Sequence, residues 1–202
     1  MSKLADGDAP LAAPALTTPE LWRDYLREYS ETYLRMAAPG ELSDEQIQHR
    51  WAGHEPAAEQ TVVAAEQRLA VRLPPTFRSF LATSDGWPNP AEWIDELHAS
   101  AEVAWFRDTP DGTGFIDLYG EPRNDDEDDS DMLSLFRRSL VIASGEDFWL
   151  LDPADPGPDG EWVAWEFTPK YGGLERFASF AEIFHASRAS MEQEAADDDT
   201  DQ

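Results

Sequence analysis

The apolar residues of this chain change their spacing once, at Ser84-Asp85-Gly86, and that change limits the fold more than any other feature. Before it they recur at helical intervals: Trp22, Tyr25, Leu26, Tyr29, Tyr33 and Met36 mark one helical stripe. After it they come in short blocks, at 102–106, 115–119, 140–143, 148–151 and 162–167, separated by Gly, Pro and Asp. Such blocks read as strands of an antiparallel sheet. Helices first and strands afterwards predict an α+β domain, with a mainly antiparallel sheet and helices packed against it.

The helix boundaries carry their own signals. Thr17-Thr18-Pro19-Glu20 joins a Thr cap, a proline at the first helical position and an acidic residue at the positive end of the dipole. Pro39-Gly40 ends that helix, and Ser43 with Gln46 forms a capping box for a short helix carrying Ile47 and Trp51. A third helix is expected over 57–70, broken by Leu73-Pro74-Pro75, and a fourth from Pro75 with Phe77, Phe80 and Leu81. Gly86 suits the left-handed position that follows a helix. Ser144-Gly145-Glu146-Asp147 has the composition of a tight hairpin turn. A last helix is expected over 179–191, with Phe180, Ile183 and Phe184 on one face.

At 202 residues the chain can bury one full core. Its eight tryptophans supply much of that core, since large aromatics bury the most apolar area. The expected organisation is a flexible arm at 1–18, a helical extension at 19–42, a main domain at 43–191 with an acidic insertion at 121–131, and an acidic, disordered tail at 192–202. The absence of cysteine excludes disulfides and thiolate chemistry. No apolar run is long enough for a membrane helix and none follows a basic segment as in a secretory signal, so a cytoplasmic protein is expected. The net charge of −27 opposes nucleic acid and anionic membranes as partners and favours basic ones. Solubility alone is the competing explanation of that charge.

Candidate chemistry is sparse. His49, His54, His98 and His185 include no pair at the one-turn spacing of a helical zinc site. Ser84 and Ser144 lie in no nucleophile elbow, and Gly112-Thr113-Gly114 reads as a turn. The acidic run Asp125 to Asp131 lacks the glycine and the terminal Glu of a calcium loop. Glu66, one turn after Val62, reads as a half-buried anchor for the Leu73-Pro74 turn, with a catalytic carboxylate as the alternative. No catalytic residue, metal site or cofactor is expected. Trp162 and Trp165 stand on opposite faces of a strand, and Trp93 and Trp105 fall in or near loops. Exposed aromatics ringed by acid would be interface anchors.

Trp51-Ala52-Gly53, Glu66, Leu73-Pro74-Pro75, Phe77, Phe80-Leu81 and Ser84-Asp85-Gly86-Trp87 together resemble the signature of the SUKH superfamily, Smi–Knr type. Asp85 stands where that pattern usually has Asn. Leu150-Leu151-Asp152-Pro153 and Phe177-Ala178-Ser179-Phe180 with Phe184 resemble its second half. The superfamily includes a yeast cell-wall assembly regulator and many bacterial immunity proteins. The resemblance implies an α+β fold without an active site and a toxin-neutralising protein; the acidity of the chain makes a basic toxin domain the expected partner. A regulatory or scaffold domain for a housekeeping partner is the alternative. Asp125, Asp126, Glu127, Asp128 and Asp129, with Trp162 and Trp165, are the expected partner-binding residues. Trp51, Gly53, Glu66, Leu73, Pro74, Phe80, Gly86, Trp87 and Asp152 are the expected structural ones.

Overall fold

The computed structural model describes residues 15–37, 40, 42–121, 130–157 and 159–200. Four helices come first: α1 (Pro19–Met36), α2 (Asp44–His49), α3 (Glu59–Leu69) and α4 (Pro75–Leu81). The strands β1 (Trp87–Ala91), β2 (Ile94–Leu97) and β3 (Ala104–Trp105) follow, then a 3-10 turn (Phe106–Asp108), α5 (Pro110–Gly120) and α6 (Ser130–Arg138). The chain closes with β4 (Leu140–Gly145), β5 (Phe148–Pro156), β6 (Trp162–Thr168), β7 (Gly173–Phe177) and α7 (Phe180–Thr200). The expected α+β class stands.

All strand pairs are antiparallel, in the order β1-β2-β4-β5-β6-β7, with β3 also paired to β4. Successive strand residues point to opposite faces. Trp149 and Leu151 therefore enter one apolar cluster, and Phe148 and Leu150 the other. On the first face α1, α4 and α7 meet around Trp22, whose ring lies 5.2 Å from Phe80 and 5.6 Å from both Phe180 and Phe184. Its indole Nε1 donates to the Thr76 carbonyl at 3.0 Å, so the buried polar atom is satisfied. On the second face Phe136 lies 4.7 Å from Phe167, and Phe115 5.0 Å from it.

The cap signals place the early helices well. Thr18 accepts from Leu21 N, and the Ser43–Gln46 capping box is complete. The expected helical extension at 19–42 is core structure: Trp22, Leu26 and Tyr29 have no exposed surface. Leu16, in the expected arm, is also buried. Residues 1–14 and Pro39 lie outside the described residues.

The second half differs in several places. Residues 115–119 are helical, in α5, and not a strand. The start signal is Thr109-Pro110, with the Thr109 hydroxyl accepting from Gly112 N at 3.0 Å. Gly112-Thr113-Gly114 is the first turn of this helix rather than a loop turn. Phe115, Ile116 and Tyr119 face the second cluster while Leu118 points to solvent, a helical division and not an alternating one. Only residues 104–105 of the block 102–106 are strand. β1 and β2 escape the sequence pattern because Pro88 and Pro90 interrupt it. Those prolines are tolerated because β1 is an edge strand. The last helix continues past Met191 to Thr200.

Candidate functional site

The signature residues build scaffold. Glu66 Oε1 accepts from Leu73 N at 3.1 Å and from Arg78 Nε at 3.2 Å, so it ties α3 to the turn and to α4. Leu73 is buried, and Pro74 is the extended cap residue from which α4 starts. Gly53 lies against the next junction, where an added Cβ would come within 2.5 Å of Ser84 Oγ and 2.6 Å of the Trp87 ring. Gly86 has φ +102°, and a Cβ there would stand 2.8 Å from the Leu97 carbonyl oxygen. Trp51, expected in the core, is half-buried at its edge, with its ring edge-on to Trp87 at 5.7 Å. Asp152 is 1% exposed and is held by Arg138 through Nη2 at 2.7 Å and Nε at 3.0 Å, which fastens α6 to β5.

The expected partner-binding residues fare differently. Asp125, Asp126, Glu127, Asp128 and Asp129 lie outside the described residues, between α5 and α6. Trp162 and Trp165 do take opposite faces, but helices cover both. Trp162 is 8% exposed within the first cluster, and Trp165 is half-buried against the second. Neither is an exposed anchor. Trp93, 47% exposed in the β1–β2 turn, has the exposure expected of one.

His54, His98 and His185 are tied to separate partners. His54 Nε2 lies 2.9 Å from Glu96, and that hydrogen bond raises its pKa. His98 lies 2.8 Å from Ser144 Oγ, and burial lowers its pKa. His185 Nδ1 lies 3.0 Å from the Tyr25 hydroxyl. Among the described residues no three His, Asp or Glu side chains converge to hold a metal ion.

A groove of about 600 Å³ opens on the first face. One side is sheet, where Trp149, Glu166 and Glu175 stand directly opposite one another across β5, β6 and β7. The other walls are the end of α1 with Tyr33 and Met36, the β1–β2 hairpin with Asn89, Glu92 and Trp93, and α7 with Ile183, Ser187 and Met191. Asn89 Nδ2 donates to the Tyr33 hydroxyl at 2.8 Å, joining hairpin to helix. Met36 and Trp93 are two of the few large apolar side chains that reach solvent among the described residues. Burial pushes the Glu166 carboxyl above its ordinary value; the Trp149 indole, donating to it at 3.2 Å, opposes that shift, and the Asp147 and Glu175 charges add to it. None of the described residues lining the groove is Lys, Arg or His.

Spacing reveals Trp93 as a loop aromatic and nothing more of this groove. Glu166 and Glu175 meet through strand register, and Met36 and Met191 come from opposite ends of the chain. The one local hint is that Glu166 interrupts an otherwise apolar strand between Trp165 and Phe167.

No helix among the described residues is long and apolar enough to cross a membrane. Among curated proteins none matches the chain. The family model described as SMI1 / KNR4 family (SUKH-1) matches residues 56–185. The matched stretch runs from just before α3 into α7 and holds Glu66, Leu73, Pro74, Phe80, Gly86, Trp87 and Asp152, the residues that brace the scaffold. With well over half its length matched, and with the signature residues holding the helices and sheet together, the chain belongs to the SMI1/KNR4 (SUKH-1) family.

Proposed function

We propose that this chain is an immunity-type protein that binds a cognate protein toxin and neutralises it by covering the toxin's working surface. The observation that carries the reading is the charge. A net −27 on a chain of 202 residues draws in a basic partner and opposes association with nucleic acid. Family membership supports a binding role, and the groove offers aromatic and acidic groups together on one face. The action is steric and electrostatic: the acidic field speeds encounter, and an aromatic anchor such as Trp93 slows release. On this reading the protein performs no chemistry of its own, and a toxin that handles nucleic acid is a natural partner because its groove must be basic.

The test is co-expression with the product of the gene immediately upstream, followed by size-exclusion chromatography and a growth assay. A stable complex and restored growth are expected. Loss of either would replace the immunity reading with a regulatory binding domain. Within a complex, replacing Asp125, Asp126, Glu127, Asp128 and Asp129 by Asn and Gln is expected to slow association and flatten its salt dependence while leaving dissociation nearly unchanged. Equal association rates at low salt would remove those residues from the interface.

A further inference from the structure

We propose that the groove between α1, α7 and the β1–β2 hairpin is a receptor for an arginine side chain of a basic protein partner, held between the Glu166–Glu175 carboxylate pair and the Trp93 ring. The proposal rests on the partner-binding reading above and names the part of the surface that does the binding.

Strand register brings the two carboxylates together. Glu166 and Glu175 are directly paired residues on adjacent strands, so their side chains leave the sheet on the same face. Like charges directly opposite one another destabilise a sheet, and a sequence selected for stability alone would place a cation or an uncharged residue at one of the two positions. Among the described residues lining the groove, none neutralises the pair with a positive charge. The neighbouring Arg176 has the alternate orientation and pairs with Asp155 at 3.0 Å. Glu92 adds a third carboxylate to the walls.

The second observation is apolar. Trp93 and Met36 expose 47% and 39% of their surface at this same groove, where solubility alone would favour polar residues. An acidic pair beside exposed aromatic and thioether surface matches one side-chain chemistry closely. A guanidinium pairs with carboxylates through its planar fork, stacks on an indole face, and is weakly hydrated enough to leave water readily. A volume of about 600 Å³ accommodates that side chain with some of its flanking backbone. The charge complementarity is local and does not depend on the net charge of the chain.

The experiment uses the full chain, labelled with nitrogen-15, and N-acetyl-arginine amide as the probe. The uncharged isostere N-acetyl-citrulline amide is the control. Saturable shifts of the Trp93 and Trp149 indole N–H signals are expected in about the millimolar range, the affinity open to a ligand of this size. The citrulline compound, and the Glu166→Gln/Glu175→Gln variant, should each bind about tenfold more weakly. Trp93→Ala changes an exposed side chain without opening the core, and it should weaken binding too. Equal shifts from the citrulline compound, an unchanged response in the double variant, or shifts spread evenly over the acidic surface would each overturn the proposal. The probe requires no toxin. Arginine binding without a toxin complex would leave the groove standing with another basic partner, whereas a toxin complex without arginine binding would remove the groove and leave the immunity reading intact.

Discussion

On one face of the sheet α1, α4 and α7 pack about Trp22, Phe80, Phe180 and Phe184; on the other α5 and α6 pack about Phe106, Phe136 and Phe167. The first layer contains the longest helices, 18 and 21 residues, and they leave a groove between them and the sheet edge. The second uses helices of 11 and 9 residues and is fastened to the strands by the pairing of half-exposed Arg138 with buried Asp152. Long helices bury enough apolar surface to fix the fold and still spare one end for a concave surface. Short helices cannot do both, so a charged pair supplements their apolar contact. The difference assigns most of the apolar core, and the groove, to the first face and closure of the sheet to the second.

The largest expected effect tests that assignment directly. Phe80→Ala empties the centre of the first cluster and is expected to destabilise by ~3–5 kcal/mol, whereas half-buried Phe115→Ala in the second should lose ~1 kcal/mol. Urea titrations of the two variants side by side measure the ratio, and equal losses would dissolve the contrast. Gly53→Ala drives a methyl group into Ser84 and Trp87 on the first face. It should lower stability by ~1–3 kcal/mol, the usual effect of overpacking, visible as a drop in melting temperature. Asp152→Ala probes the other side. It removes the fastening of α6 and is expected to cost ~2 kcal/mol, moderated because Arg138 can turn to solvent. Faster amide exchange across α6, with α1 unaffected, would mark the loss as local.

The smallest effect has the opposite sign. Glu166→Gln removes one of two facing charges and is expected to stabilise the protein by about 0.2–1 kcal/mol near neutral pH. The raised pKa of Glu166 means that the folded state holds its proton more tightly than the unfolded chain does. Stability from that group is complete below the ordinary carboxylate range and is lost as pH rises through the raised value. The advantage of Gln over Glu should therefore shrink on acidification and vanish below about pH 4. Melting curves of parent and variant between acid and neutral pH would show it, and an advantage constant with pH would mean that the carboxylate is not desolvated.

Much of the first face is legible in the order of its residues. Thr18, Ser43, Pro19 and Pro75 mark helix starts because they act on their own first turn, and a helical stripe reports a buried face wherever that face goes. The anchor role of Glu66 is equally local, since its partners Leu73 and Arg78 follow within a dozen residues. The second face reads poorly because Phe115 to Tyr119 is short, and five mixed residues fit either period until the Thr109-Pro110 cap is weighed. β1 hides behind its prolines, which only an edge position permits.

From the chain alone came the α+β class, the family signature, the helix boundaries near caps and prolines, and the acidity on which the proposal of a basic partner rests. All of these depend on composition or on neighbours within a few residues. Tertiary structure decided that α1 belongs to the core, that Trp162 and Trp165 lie under helices, and that Glu166 faces Glu175 in a groove walled by residues as far apart as Met36 and Met191. Those facts follow from strand register and from the docking of distant helices. A one-residue slip would carry Glu166 to the other face, so alternation along the strand cannot say which carboxylates meet.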